Sequence, residues 1–105
     1  MLDYTKREKK FLTVTLADGR TVFIGAPKKA LFSRLSDIEK DLKNAEDPLA
    51  AYDEILLVTS QILSNNRAKI SFSPAEVDEL MDIEDMSLLI IEYSRYAKNL
   101  LKNPN

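Results

Sequence analysis

The chain contains no cysteine and no histidine, and only two glycines, Gly19 and Gly25, in 105 residues. Without cysteine there is no disulfide framework, thiol nucleophile or thiolate metal site. Without histidine the side chain that most readily moves protons near neutral pH is missing, together with the commonest metal ligand. Serine–histidine hydrolysis and ordinary zinc catalysis are therefore excluded. Two isolated glycines cannot build a phosphate-cradling loop. No apolar run approaches membrane-span length, and Met1-Leu2-Asp3-Tyr4-Thr5-Lys6-Arg7 lacks the apolar core of a signal peptide. The expectation is a cytoplasmic protein with no catalytic residues, no cofactor and no metal.

What is present is a globular composition, 45% hydrophobic and 30% charged. That is enough for one domain with a single thin core. The 15 basic and 17 acidic residues nearly cancel, so no bulk field for holding nucleic acid follows.

Residues 1–10 read as a flexible basic leader, and residues 103–105 as a disordered tail. Between them lies a β-hairpin at 11–24. Asp18-Gly19 separates Phe11-Leu12-Thr13-Val14-Thr15-Leu16 from Thr21-Val22-Phe23-Ile24, the pattern of a two-residue type I′ loop. That loop pairs Leu16 with Thr21 and Val14 with Phe23. It places Leu12, Val14, Leu16 and Phe23 on one face and Thr13, Thr15, Val22 and Ile24 on the other. The second face is half apolar, unusual for one that meets only water.

Helical signals fill residues 27–102. Pro27 opens a first helix with a narrow stripe of Leu31, Leu35, Ile38 and Leu42, and Phe32 falls beside it. Asp47-Pro48 caps and starts a second, running to about Ser64, with Leu49, Tyr52, Ile55, Leu56, Ile62 and Leu63 as its stripe. Ser73-Pro74-Ala75-Glu76 is a capping box that starts a short third helix carrying Val77, Leu80 and Met81. After a bend at Asp82-Ile83-Glu84-Asp85, a long last helix runs to about Lys102. Its apolar side holds Met86, Leu89, Ile90, Tyr93, Tyr96, Ala97, Leu100 and Leu101. The fold class is α+β: an N-terminal β-hairpin followed by a small bundle of three or four α-helices, a single domain over 1–105.

The carboxylates Asp78, Glu79, Asp82, Glu84 and Asp85 lack the alternation and glycine of a calcium loop, and read as helix caps and a solvated face. Tyr93 and Tyr96 read as core rim with hydroxyls in water. The residues that fit no stripe carry more information. Leu88 and Ile91 sit three apart among charged neighbours, and Leu57 is off the stripe of its helix. Burial of one such side chain is worth about 1.5–3 kcal/mol. Either another element covers them or a partner protein does. With Val22, Ile24 and Phe32 they form the candidate protein-interface set.

In chain order, Tyr4-Thr5-Lys6-Arg7-Glu8-Lys9-Lys10-Phe11 running into Thr13-Val14-Thr15-Leu16-Ala17-Asp18, then Ile62-Leu63-Ser64-Asn65-Asn66-Arg67, then Val77 to Asp85 with the apolar helix after it, resemble the tail assembly chaperones of long-tailed phages and prophages of Gram-positive bacteria. The resemblance spans nearly the whole chain but carries no chemical signature. It implies a homo-oligomer in the host cytoplasm that binds the tape measure protein and keeps it soluble. Tail tube protein is a further implied partner, and the chaperone is absent from the mature virion. Leu88-Leu89-Ile90-Ile91 and Tyr93 depart from the family pattern, which is more aromatic there, so no contact residue is transferred. The rival reading is a small helix-turn-helix regulator, for which the last helix offers only Arg95 and Lys98 among Glu84, Asp85 and Glu92.

Overall fold

A computed structural model describes residues 10–44 and 46–102, without the side chains of 42–44. The expected tail, most of the leader and the Leu42 side chain lie outside the described residues. Two antiparallel strands, β1 (Leu12–Thr15) and β2 (Thr21–Ile24), precede four helices: α1 (Lys29–Asn44), α2 (Pro48–Ser64), α3 (Pro74–Leu80) and α4 (Ile83–Lys102). This is the expected α+β architecture.

The hairpin register differs from the expected one by a residue. Val14 pairs with Val22 and Leu12 with Ile24. Leu16 N–H donates to the Arg20 carbonyl at 2.8 Å, and the Leu16 carbonyl accepts from Gly19 N–H at 2.9 Å. The loop is thus the three residues Ala17-Asp18-Gly19, a tight turn closed by a glycine bulge at φ +94°. Asp18 keeps a negative φ, so the type I′ loop does not form. Its carboxylate accepts from Arg20 N–H at 3.0 Å and from Arg20 Nε at 2.7 Å, which fixes the turn.

The shift of one residue exchanges the faces of β2. Leu12, Val14, Leu16, Val22 and Ile24 now share the inner face, and only this register lets every aliphatic residue of both strands turn inward. Phe23 moves to the outer face, where the Arg67 guanidinium lies 4.5 Å from its ring centroid and 5.4 Å from that of Phe11.

α2 is the central element, touching all three other helices and β2. It is apolar around most of its circumference, burying Ile55, Val58, Thr59, Ser60, Ile62 and Leu63. Asp47 caps its N-terminus, its side chain accepting from Leu49 N–H at 3.0 Å, with Pro48 in the first turn. Leu49, expected on the stripe, is exposed. It lies in the first turn, beyond the reach of the core.

The buried hydroxyls of α2 are employed rather than tolerated. Thr59 donates to the Ile55 carbonyl at 2.8 Å, and Ser60 donates to the Phe72 carbonyl. Ser64 Oγ accepts from Phe72 N–H at 2.9 Å. These bonds hold Phe72 in the core on a segment that forms no strand. Asn66 clamps the loop before it, its Nδ2 donating to the Leu63 carbonyl at 2.7 Å and the Ile70 carbonyl at 2.6 Å.

The Ser73–Glu76 capping box forms as the sequence predicts. The bend before α4 is one extended residue, Met81, after which Asp82 and Asp85 cap α4 reciprocally. α4 buries Met86, Leu89, Ile90, Tyr93, Ser94 and Ala97. Leu101, expected on this face, is exposed in the last turn.

Candidate interaction surface

Of the six candidate interface residues, Val22 and Ile24 are corrected by the register: they are 5% and 0% exposed and belong to the core. Phe32 is half-buried on α1, at a crevice against α4 lined also by Leu35, Ser94 and Ala97. Leu57, Leu88 and Ile91 stand on the surface, 40%, 55% and 52% exposed. Within the described residues neither a third helix nor a loop covers them.

Leu88 is not an isolated spot. It forms part of the wall of a groove of about 590 Å³ between β1 and the α3–α4 corner, whose apolar side comprises Leu80, Met81, Leu88 and Leu89. The opposite wall is β1 with the two residues that follow it, from Leu12 to Ala17. A second hollow continues it past Leu12 and Glu92 toward Lys10, Arg95, Tyr96 and Leu100. The Tyr96 hydroxyl donates to the Lys10 carbonyl at 2.7 Å and ties the start of β1 to α4.

Ile91 looks the other way, into a hollow with Glu39, Ser94 and Lys98. Leu88 and Ile91 are one helical turn apart, so the outer face of α4 carries two bare aliphatic side chains with a hollow on each flank.

The groove walls carry opposite charge at their two ends. Asp85 stands beside the end of β1, and Lys10 and Arg95 stand beside its start. Arg95 is bonded to Glu92 at 2.9 Å, and Lys98 lies 3.9 Å from Glu39. The cations of α4 thus have carboxylate neighbours, and its exposed face shows Glu84, Asp85 and Glu92 as well. Such a face repels phosphates, a poor recognition helix for DNA.

Several acidic residues also serve as structure. Asp82 and Asp85 cap α4, Glu76 completes the capping box of α3, and Asp78 accepts from the Tyr52 hydroxyl at 3.3 Å. Burial, then the charge of Asp78, pushes the Tyr52 hydroxyl above its ordinary pKa. Burial and a hydrogen bond shared with Asp41 raise the Glu54 carboxyl likewise. Among the described residues no group of three or more His, Cys, Asp or Glu side chains is placed to hold a metal ion. None of their helices is long and apolar enough to cross a membrane.

Tyr93 departs from the expected rim position. It is fully buried, and its hydroxyl is bonded inside the protein instead of in water. The groove along β1 was only partly legible: the hairpin and the last helix were visible in the sequence, but the placement of one against the other was not. Nothing matched the chain in comparisons with protein-family models, with characterised proteins or with solved structures.

Proposed function

We propose that the protein is a phage tail assembly chaperone that binds the tape measure protein and keeps it soluble while the tail forms. The observation that carries this reading is the outer face of α4, where Leu88 remains bare beside an apolar groove and Ile91 is bare one turn further on. A water-facing helix seldom keeps two adjacent aliphatic residues without a partner that covers them. The sequence resemblance supplies the identity of the client; the surface supplies the chemistry of holding it.

The mechanism is mass action. An apolar helical face of the client laid against α4 leaves the pool that would otherwise aggregate, and no nucleotide is consumed. The setting is the host cytoplasm, and the chaperone is absent from the mature virion.

The test is co-expression with a phage tape measure protein. The wild-type chain is expected to hold the client in the soluble fraction. Ile91→Glu is expected to lose that effect several-fold while keeping its own helical circular dichroism. A client equally insoluble with and without the wild-type chain overturns the proposal, as does salt-sensitive binding of a DNA duplex in place of client binding.

A further inference from the structure

The two edges of the hairpin are not equivalent. On the β2 side, Gly25 N–H donates to the Asn65 carbonyl at 2.9 Å and Arg67 N–H donates to the Phe23 carbonyl at 2.8 Å. That edge is closed by the loop after α2. On the β1 side, Leu16 turns its N–H toward Arg20. The alternation of the ladder then turns Leu12 and Val14 inward to β2, and the N–H and C=O groups of Thr13 and Thr15 outward. Among the described residues nothing pairs with them. Successive residues of β1, from both faces of the hairpin, line the groove against α4. A wall to which a strand gives every residue in turn is its backbone edge, not one of its faces. The groove is therefore a gap between an open strand edge and the apolar side chains Met81, Leu88 and Leu89.

The charge around this gap has one uncompensated part. At the turn Asp18 is paired with Arg20, and on α4 Glu92 is paired with Arg95, so these four cancel. Lys10 stands in the separate hollow beyond Leu12. From Ser73 to Ser94 the chain has seven carboxylates and neither lysine nor arginine. Of these, Asp85 lines the groove, and Glu84 and Glu92 stand one helical turn from Leu88 on either side. Among the described residues no ion pair engages Asp82, Glu84 or Asp85.

We propose that the groove binds an extended protein segment of alternating apolar residues that carries lysine or arginine at the end beside Asp85, and that this segment joins β1 as a third strand. Its backbone meets the outward groups of Thr13 and Thr15 in about four hydrogen bonds. Its inward side chains lie over Leu88 and Met81 and beside Leu12 and Val14, which are only half-buried on the inner face. Its cation meets Asp85 and Glu84, where the protein itself supplies none. A second copy of β1 fits this chemistry less well, because Leu12 to Ala17 contain no cation.

The inference rests on the preceding reading that a protein partner covers Leu88, and adds the chemistry of the segment that does so. The helical contact stays with Ile91 on the other flank of α4.

The probe is a short synthetic peptide alternating valine and threonine with lysine at both ends, compared with the same peptide ending in glutamate. In amide NMR of the full chain, the lysine peptide is expected to shift Thr13, Thr15 and Leu88. It is also expected to slow hydrogen exchange at Thr13 and Thr15, whose amides exchange freely in the unbound protein. The glutamate peptide is expected to bind about tenfold more weakly, a gap that narrows with added salt. Asp85→Asn keeps an acceptor for the cap of α4. It is expected to weaken the lysine peptide about threefold and leave the glutamate peptide no weaker. Equal affinity of the two peptides overturns the inference. So does protection of the Thr13 and Thr15 amides in the unbound protein, which would mean that residues 1–9 or a second copy already hold the edge. A chain that binds the lysine peptide but leaves tape measure protein insoluble removes the preceding proposal and keeps this one. A chain that solubilises tape measure protein without binding the peptide does the reverse.

Discussion

The Tyr93 hydroxyl donates a 2.7 Å hydrogen bond to the carbonyl of Gly25, joining the middle of α4 to the end of the hairpin. Asn65 completes the joint, its Nδ2 donating to the Gly25 carbonyl at 3.0 Å, the Ala26 carbonyl at 3.2 Å and the tyrosine oxygen at 3.1 Å. One side chain at the end of α2 and one on α4 thus satisfy the carbonyls where the chain leaves β2 for α1. Tyr93→Phe deletes the hydroxyl and leaves the ring in place. Denaturant unfolding is expected to show a loss of about 1–3 kcal/mol, the range for removing a buried partner. Unchanged stability would mean that Asn65 alone holds the joint.

The same burial predicts a response to alkali. Burial pushes the Tyr93 hydroxyl up from its ordinary 10 to about 12, opposed by the hydrogen bond from Asn65. The unfolded chain gives up this proton from about pH 10 and the folded chain only near pH 12. The contribution is therefore present in full below pH 10 and lost as pH rises to 12. Tyr96, also raised by burial, acts in the same direction. Unfolding titrations across this window are expected to show falling stability, with a shallower fall in Tyr93→Phe. Ultraviolet absorbance of tyrosinate on the folded protein should show one hydroxyl ionising last. An ordinary titration of every tyrosine sinks the prediction.

The hairpin turn isolates a backbone effect. A methyl group on Gly19 would meet nothing within 4 Å, so its cost lies in the positive φ of +94° alone. Gly19→Ala is expected to destabilise by about 1–2 kcal/mol. Gly19→Asn should cost less, because asparagine visits positive φ more readily. Equal losses in the two variants would place the cost elsewhere than in the dihedral.

Three of the four helices, α2, α3 and α4, were legible because each begins with a local chemical signal; α1 starts at Lys29, after Pro27, and was read from its stripe. Asp47-Pro48, Ser73-Pro74 with Glu76, and the acids at 82–85 each satisfy orphan amides within a few residues, so sequence alone carries them. The hairpin was legible as a hairpin, yet its register was not. Asp-Gly supports both a two-residue loop and a three-residue loop with a glycine bulge. The choice rests on whether Val22 and Ile24 find a core to enter, and α2 supplies it from forty residues downstream. The same reasoning explains Tyr93, whose position on the apolar side was readable but whose acceptor, Gly25, lies 68 residues away. Leu88 and Ile91 were found because they break a local pattern. The groove beside Leu88 needed β1 placed against α4, which no periodicity encodes.

Ser94 offers a test of the α1–α4 packing. Its hydroxyl is buried and has no hydrogen-bond partner among the described residues, at the crevice where Phe32 of α1 approaches α4. An unsatisfied buried hydroxyl costs its hydration without a return, and serine is a poorer helix former than alanine. Ser94→Ala is therefore expected to leave stability unchanged or raise it by up to roughly 1 kcal/mol. Placed at the same crevice, Ser94→Leu should overpack it and cost about 1–3 kcal/mol. A clear loss in the alanine variant would show that the hydroxyl has a partner in solution, and would make this crevice a polar contact instead of a packing seam.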